Sequence, residues 1–565
     1  MEIVPWNEQR ENIFLDRYAL RDQKGDLYEK TPEDMWNRIA RTIGEDGVER
    51  RMFKAILEDF KFVPSGRILA GGKTFYNCFV LGLEEDSRIG IMDTISDMIE
   101  VTSRGGGVGV NWSILRPRSA YIKGVNGKSS GSVAWMRGAD SLADAIRQGG
   151  SRTAALMFII DVWHPDVIEM TRSGNRFTRA NFSINVSDEF MRAVQDDQEW
   201  DLIFPDTASP FYDAEWDGDI KKWRDKGLPV ITYETVNAYD LWKAMTESAW
   251  MTGSPGMAFL ERCNAWSNTW YLDRLTSYNP CAEQPLPVNG SCNLGSINLA
   301  AFIEAETYTI KWNELALAIK YAVRFLDRVI DVSEDINQQI GDYQRHVRRI
   351  GLGTMGLADV LILSKIRYGS AESCKFIDVL FSFIRDCAYM ASVELAEAKG
   401  PAPGYSKSKY LSGKFIKTLP SGIREAIRKH GIRNLAVLTQ PPTGTTSILA
   451  GASSGIEPLF SKAFMRKDAT GEHIMKHPLF EGERKEYHVT AADVTMEEHV
   501  KVQAAMQKYV DSAISKTINM PHECTPIDIS EAYIAAYASG GKGITIYRAG
   551  SLDDVLTPYC ETCNI

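Results

Sequence analysis

The sequence predicts an α/β fold whose strands run mainly parallel, because short apolar runs alternate with amphipathic helical segments between about Phe62 and Gly543. The apolar runs, which we interpret as strands, include residues 107–110, 154–162, 230–232 and 435–439. The helical segments include residues 187–194, 239–251, 315–332, 372–398 and 497–516. In a fold of this class, ligands bind where the parallel strands end.

The N-terminal segment, residues 1–60, is predicted to be helical. Thr31 followed by Pro32 is a typical helix start, and Met35, Ile39 and Ile43 follow it at helical spacing. We expect this segment to be a packing element or a lid with no chemistry of its own.

Composition and charge exclude several classes of protein. The 565 residues include 64 Lys and Arg against 74 Asp and Glu, and the net charge of −10 argues against a nucleic-acid binder, which usually presents a basic face. Hydrophobic residues make up 44% and charged residues 24%, as is typical of globular proteins. No apolar stretch reaches the ~18 residues of a membrane span, and the first residues lack the features of a signal peptide.

Two glycine-containing stretches fail to match the phosphate-binding motifs that they suggest. Residues 71–74 read Gly-Gly-Lys-Thr, but Arg67 occupies the place of the first glycine of a P-loop. Residues 105–109 do not fit the dinucleotide G-x-G-x-x-G frame, because Val110 takes its last position. We expect these glycines, Gly106 and Gly107 among them, to let a backbone approach a ligand or a neighbouring strand closely.

The segment 279–287, which reads NPCAEQPLP, has the pattern of a reactive loop. Its three prolines exclude a helix interior and favour an extended path. In an extended chain Asn279, Cys281 and Glu283 project to one face, where an amide, a thiol and a carboxylate can hold a polar substrate, attack it and move a proton. The alternative is a loop whose cysteine is merely buried and whose polar side chains satisfy the turn backbone.

The remaining cysteines suggest a thiol relay. Nine cysteines are too few for a secreted disulfide scaffold, so we expect a cytoplasmic protein with reduced thiols. Cys292 follows the reactive segment, Cys78 lies far upstream, and Cys560 and Cys563 form a C-x-x-C pair in a C-terminal stretch without periodicity. Such a pair exchanges disulfides readily, and a mobile tail can carry it into a buried site. The alternative for the C-terminal pair is half of a zinc site.

A third segment has the composition of a phosphate cradle. Residues 440–448 follow a predicted strand and cluster hydroxyls around a glycine at a predicted helix start. Free backbone N–H groups and hydroxyl donors at such a position suit a phosphate, although the segment contains no lysine. The alternative is an ordinary helix cap. The candidate ligands are Thr443, Gly444, Thr445, Thr446 and Ser447.

Together these segments resemble the large, catalytic chain of ribonucleotide reductases. The matching stretches are NPCAEQPL from Asn279, PTGTTS from Pro442, SCNLGSINL from Ser291, YNCFV from Tyr76, PSGRILAGG from Pro64, SRGGGVGVNWS from Ser103, RRIGLGTMGLAD from Arg348 and SKTINMP from Ser515. The resemblance runs in order from about Trp6 to the last residue.

The resemblance implies a fold and a division of the chain. The family fold is a ten-stranded α/β barrel of two parallel five-stranded halves, with a finger loop through its centre. We therefore expect an N-terminal helical segment without an ATP-cone in residues 1–60, the catalytic barrel in residues 61–545 and a mobile redox tail in residues 546–565.

The resemblance also implies roles for the reactive residues. Cys281 would become a transient thiyl radical that takes the 3′ hydrogen of the ribose, Glu283 would accept the 3′ hydroxyl proton, and Asn279 would orient the substrate. Cys78 and Cys292 would protonate the leaving 2′ hydroxyl, deliver two electrons and end as a disulfide.

Binding partners follow from the same resemblance. Cys560 and Cys563 would reduce the internal disulfide and be recharged by a thioredoxin-like or glutaredoxin-like protein. The ribonucleotide substrate, most consistent with a diphosphate, would be held by Ser65, Gly106, Gly107 and residues 443–447. A dNTP or ATP effector would tune substrate choice at a homodimer interface. The residues that resemble this specificity site are Asp86, Ser87, Lys123 and Arg152.

The source of the radical is predicted from the C-terminal stretch KGITIYRAGS. In the class that depends on a separate radical subunit, two adjacent tyrosines relay the radical, but here Ile546 precedes Tyr547. The stretch resembles the KGITVYRDGS signature of the adenosylcobalamin-dependent class, from which Ala549 departs. The alternatives are a catalytic subunit that needs a metal-containing radical partner, and a nucleotide-binding thiol–disulfide protein without radical chemistry.

Overall fold

The computed structural model of the chain describes residues 5–148, 152–173, 177–304, 306–460, 463–468, 471–476, 479, 485–551 and 556–558. The helices are α1 (Glu8–Arg17), α2 (Pro32–Ile43), α3 (Gly47–Leu57), α4 (Gly66–Leu69), α5 (Arg88–Ser103), α6 (Ser132–Asp144), α7 (Val167–Thr171), α8 (Asp188–Gln195), α9 (Tyr212–Glu215), α10 (Ile220–Asp225), α11 (Ala238–Thr252), α12 (Leu260–Trp266), α13 (Trp312–Val332), α14 (Gln338–Val347), α15 (Leu357–Leu363), α16 (Ala371–Lys399), α17 (Lys407–Ser412), α18 (Lys414–Lys417), α19 (Ser421–His430), α20 (Gly444–Ala450), α21 (Met496–Gln507) and α22 (Pro526–Ala538).

The strands are β1 (Phe62–Pro64), β2 (Cys78–Leu81), β3 (Gly107–Asn111), β4 (Tyr121–Ile122), β5 (Gly127–Lys128), β6 (Arg147–Gln148), β7 (Arg152–Thr153), β8 (Ala155–Asp161), β9 (Ala180–Asn185), β10 (Glu199–Pro205), β11 (Val230–Asn237), β12 (Gly256–Ala258), β13 (Ser277–Tyr278), β14 (Pro285–Leu286), β15 (Gly290–Asn298), β16 (Ile350–Met355), β17 (Ala463–Asp468), β18 (Gly471–Lys476), β19 (Thr517–Met520), β20 (Gly543–Arg548) and β21 (Leu556–Pro558).

Two groups of parallel strands build the central sheet. In the first group β2, β3, β8, β9 and β12 pair in this order, each parallel to the next. In the second group β15 is parallel to β16 and β19 is parallel to β20. The groups meet in antiparallel pairs, β2 with β15 on one side and β12 with β20 on the other.

An extended segment, residues 435–440, fills the gap within the second group. The Ile350 N–H donates to Ala436 O at 3.1 Å, which joins the segment to β16. The Gln440 N–H donates to Ala513 O at 3.2 Å, which joins it to the residues that lead into β19. Each group therefore consists of five parallel strands or extended segments joined by backbone pairing. The predicted α/β class with two parallel five-stranded halves is confirmed.

The N-terminal helices form part of the main apolar core. Phe53 of α3 and Phe62 of β1 both pack against Phe325 of α13, with ring centroids 5.1 Å and 5.4 Å apart. Phe14 of α1 and Met35 of α2 are fully buried in the same cluster. Because these helices share their core with the second group of strands, they are a fixed packing element.

The predicted helices at 187–194, 239–251, 315–332 and 372–398 are confirmed as α8, α11, α13 and α16. The helix predicted over 497–516 is too long, because α21 ends at Gln507. The Gln507 side-chain amide donates to Val510 O and Ser512 O, both at 3.0 Å. The chain then continues as an extended segment of the sheet.

Other boundaries differ as well. The predicted strand at 230–232 lies in β11, which pairs with β10 in a two-stranded sheet separate from the central sheet. The tail predicted to start at residue 546 begins inside β20, because Ile544 and Ile546 both point into a core. Within the described part of the chain, no helix has the length and apolar character that crossing a membrane requires.

Candidate active site

Glycines make room for a finger-like hairpin inside the sheet. The strands β13 and β14 pair as a hairpin whose tip is residues 279–284. A Cβ on Gly109 of β3 would lie 1.6 Å from Tyr278 O, and one on Gly107 would lie 2.9 Å from the Cγ of Pro280. The predicted close backbone approach is therefore found at Gly109, where the neighbour is the backbone of Tyr278, whereas Gly107 lies against the ring of Pro280. Gly106 instead faces the ring of Phe79, and a Cβ there would lie 2.7 Å from it.

Hydrogen bonds from three parts of the sheet hold the hairpin in place. Asn111 Nδ2 at the end of β3 donates to Thr276 O at 3.1 Å. At the tip, the carbonyl of Glu283 accepts from Thr439 Oγ1 at 2.8 Å and from the Ala513 N–H at 3.0 Å. The tip is thus bonded to two neighbouring segments of the second group, and the base of the hairpin is bonded to β3 of the first group.

The tip itself is a tight turn. The Ala282 N–H donates to Asn279 O at 2.9 Å, and Ala282 has a positive φ of 63°. The extended path predicted for residues 279–283 is therefore wrong at this point, because the turn reverses the side-chain alternation. The side chains of Asn279 and Glu283 still converge, whereas Cys281 is exposed at the tip.

Asn279, Glu283 and Cys78 form a buried polar cluster. Asn279 Nδ2 donates to Cys78 Sγ at 3.1 Å, and the Cys78 thiol lies 3.7 Å from Glu283 Oε1. The second carboxylate oxygen of Glu283, Oε2, is buried and has no hydrogen-bond partner among the residues that the structure describes. Burial raises the pKa of Glu283 to about 7, so that this carboxyl exchanges a proton near neutral pH.

Cys78 and Cys292 lie directly opposite each other in the antiparallel pair of β2 and β15. Both are buried thiols, and burial raises the pKa of each well above its ordinary value. In such a pair the Cβ atoms are ~4.5–5.5 Å apart, and a disulfide needs ~3.5–4.5 Å, so a small shift would bond them. Repulsion from the Glu283 carboxylate, and from Cys292 and Cys281 when they are ionised, further raises the pKa of Cys78.

The predicted phosphate segment follows the extended residues 435–440 directly. Thr443 precedes α20 with a positive φ of 52°, and its Oγ1 accepts from the Gly455 N–H at 2.7 Å. Ser447 Oγ lies 2.8 Å from Ser454 Oγ. Thr443, the first of the candidate phosphate ligands, therefore lies four residues after Thr439, which binds the finger tip. Ser65 donates its N–H to Leu294 O of β15, and its Oγ is buried with no hydrogen-bond partner in the described ranges.

The residues predicted for an effector site lie elsewhere on the molecule. Asp86 accepts from Arg116 Nε and from the Tyr212 hydroxyl, both at 2.6 Å. Ser87 Oγ caps α5 by accepting from the Gly90 N–H at 3.0 Å. Lys123 is exposed in a short 3-10 turn. The backbone of Arg152 lies in β7, while its side chain, like Cys560 and Cys563, is outside what the structure describes.

Comparison with protein families covers most of the chain. Residues 76–547 match the family described as ribonucleotide reductase, barrel domain, and residues 8–75 match the ribonucleotide reductase all-alpha domain. The chain belongs to the ribonucleotide reductase family. The all-alpha match ends at residue 75, beyond the boundary predicted at residue 60, and takes in β1 and α4.

The relatives of this reductase include proteins named as vitamin B12-dependent reductases and proteins named as reductase large chains. It is 32% identical to the vitamin B12-dependent ribonucleoside-diphosphate reductase of Mycobacterium tuberculosis strain H37Rv, over 97% of this chain and 78% of the relative. It is 34% identical to the protein of the same name from Thermoplasma acidophilum, over 95% of this chain and 70% of the relative. The ribonucleoside-diphosphate reductase large chain of Neurospora crassa is 29% identical over 82% of this chain and 53% of the relative.

Sequence reasoning missed one residue beside the phosphate segment. Arg17, in the last turn of α1, places Nη1 3.4 Å from Thr445 Oγ1. The two residues are 428 positions apart, and a basic residue in the last turn of a helix is a common feature that signals no ligand.

Proposed function

We propose that the chain is a vitamin B12-dependent reductase that converts ribonucleoside diphosphates to 2′-deoxyribonucleotides by thiyl-radical chemistry. The observation that supports the proposal most strongly is the arrangement at the finger tip. The tip carries an exposed cysteine and a buried glutamate, and the glutamate contacts one member of a directly opposed cysteine pair. The names of the mycobacterial and archaeal relatives support the B12-dependent class.

Glu283 is suited to accept the 3′ hydroxyl proton of the ribose. Its Oε2 is buried and accepts no hydrogen bond from the described part of the chain, so a substrate hydroxyl would satisfy it. A pKa of about 7 lets the carboxylate take a proton and release it again near neutral pH. Asn279 would orient the substrate from the same side, since its amide already reaches Cys78.

Cys78 and Cys292 are suited to deliver the two reducing equivalents. Because burial raises their pKa values, both remain protonated thiols and can give protons as well as electrons. The C2′–O bond breaks, the oxygen leaves as water, a C2′–H bond forms, and the two thiols become one disulfide. Their direct opposition across β2 and β15 provides the geometry for that bond.

Cys281 is suited to carry the radical. It is exposed at the finger tip, although Asn279, Glu283 and Gln284 around it are at most 1% exposed, so a large cofactor could reach it. Adenosylcobalamin, when bound, would supply the homolytic chemistry that oxidises this thiol. In β20 the buried Ile546 stands where a radical-relay tyrosine would be needed.

The remaining assignments complete the cycle. Ser65, Gly106, Gly107 and residues 443–447 would hold the substrate diphosphate. A dNTP or ATP would act as specificity effector at the site that includes Asp86, Ser87, Lys123 and Arg152, in a homodimer located in the cytoplasm. Cys560 and Cys563 would reduce the internal disulfide and pass the electrons from a thioredoxin-like or glutaredoxin-like protein.

The test is an assay with the purified chain alone. With adenosylcobalamin, a dithiol and CDP, we expect deoxycytidine diphosphate, and replacing Cys281 by Ser should abolish its formation. The Cys374→Ser variant, altered at a half-buried thiol of α16, is the matched control and should keep full activity. Product only after addition of a metal-containing second subunit would contradict the B12-dependent class, and turnover in Cys281→Ser would contradict the radical role of Cys281.

A further inference from the structure

The N-terminal helix α1 is fastened to α20, the helix that carries the proposed phosphate segment. The fully buried Arg10 of α1 donates its Nε–H to Leu449 O near the end of α20 at 2.9 Å. The same guanidinium lies over the rings of Trp6 and Phe60, 5.0 Å and 5.4 Å from their centroids. These contacts give α1 a fixed position relative to α20.

The same helix brings a positive charge to the phosphate segment. Arg17 Nη1 lies 3.4 Å from the hydroxyl oxygen of Thr445, and the contact is partly buried. By contrast, residues 440–460 contain no Lys or Arg at all, so the segment supplies only neutral donors for an anion. A guanidinium can donate to several acceptors at once and matches the geometry of phosphate oxygens.

We propose that Arg17 is the residue that makes the substrate site bind a nucleotide through its diphosphate more tightly than the nucleoside that lacks it. It would do so by donating to the Thr445 oxygen, which leaves the Thr445 hydroxyl hydrogen directed at the ligand, and by offsetting the charge of the diphosphate. This inference rests on the proposed function, in which residues 443–447 hold the substrate diphosphate. It assigns a ligand-binding role to the all-alpha part of the chain.

The test separates phosphate recognition from folding. In the Arg17→Gln variant we expect KM for CDP to rise about tenfold with kcat within threefold, while the inhibition constant of cytidine, which has no phosphate, stays unchanged. Arg17→Lys should restore most of the affinity, because it keeps the charge. The control is Arg41→Gln, which removes an exposed arginine of the neighbouring helix α2 and should leave KM unchanged.

Three outcomes would overturn the proposal. In the first, the KM of CDP and the inhibition constant of cytidine rise together in Arg17→Gln, which indicates a merely structural residue. In the second, Thr446→Val raises the KM of CDP and Arg17→Gln does not. This result would show that the phosphate segment binds the diphosphate without a contribution from Arg17. In the third, the wild-type chain does not reduce CDP at all, which refutes the proposed function together with this inference.

Discussion

The protonation of Glu283 couples the stability of the fold to its chemistry, and the Glu283→Gln variant separates the two. Burial raises the pKa of Glu283 from its ordinary value of 4.5 to about 7. Between these values the folded chain keeps a proton that the unfolded chain has released, so stability falls as pH rises through that window. The difference between the two pKa values corresponds to about 3 kcal/mol by the factor of ~1.4 kcal/mol per pH unit.

A glutamine at position 283 has nearly the same shape but no charge to lose. We therefore expect Glu283→Gln and the wild type to unfold at similar temperatures near pH 4.5. At pH 8 the variant should be more stable by about 3 kcal/mol, as an order of magnitude. Thermal unfolding measured at several pH values follows this difference, with Glu306→Gln, at an exposed loop residue, as the control that should track the wild type.

Turnover should change in the opposite direction to stability. Without a carboxylate to accept the 3′ hydroxyl proton, Glu283→Gln should lose a factor of ~10² or more in kcat. In the wild type, the rate of the first turnover should rise with pH through about 7, as the carboxyl becomes the charged base. Parallel stability curves for wild type and variant between pH 4.5 and 8, or a variant that retains wild-type kcat, would refute this account of Glu283.

Two further substitutions test the packing around the site. Gly109→Ala puts a Cβ 1.6 Å from Tyr278 O and should displace the finger hairpin, at a cost of ~10² in kcat. In the control Gly138→Ala, on α6, the added Cβ meets no atom of the described residues within 4 Å, so this variant should be neutral or slightly stabilising in both assays. Lys516→Met removes the fully buried partner of the Glu457 carboxylate and should lower the free energy of unfolding, measured by denaturant titration, by ~3–5 kcal/mol. The control Lys508→Met, at a 59% exposed side chain, should lower it by less than ~1 kcal/mol. Equal losses in the two variants would show that burial of the ion pair does not set the cost.

Local patterns in the sequence were sufficient for several long helices and for the loop that carries Asn279 and Glu283. The helical spacing in residues 315–332 and 372–398 predicts α13 and α16, because one apolar face of each packs on the core. The three prolines in 279–287 indicate a non-helical loop, and Asn279 and Glu283 do converge on one cysteine.

Long-range arrangement could not be predicted in this way. The turn at the finger tip needs a positive φ at Ala282, a residue type that gives no such signal. Asn279 and Cys78 are 201 positions apart, and their contact depends on how β2 pairs with β15. The contact of Arg17 with Thr445 depends likewise on the docking of one helix against another, which side-chain types alone do not determine.

If Cys281 carries a radical generated with adenosylcobalamin, electron paramagnetic resonance of the chain, frozen after mixing with adenosylcobalamin, substrate and a dithiol, should detect it. We expect a cob(II)alamin signal coupled to a sulfur radical, and the loss of the coupled signal in Cys281→Ser but not in Cys374→Ser. A coupled signal that persists in Cys281→Ser would show that another group carries the radical, and ribonucleotide reduction that proceeds only with a second, metal-containing subunit would show that adenosylcobalamin is not its source.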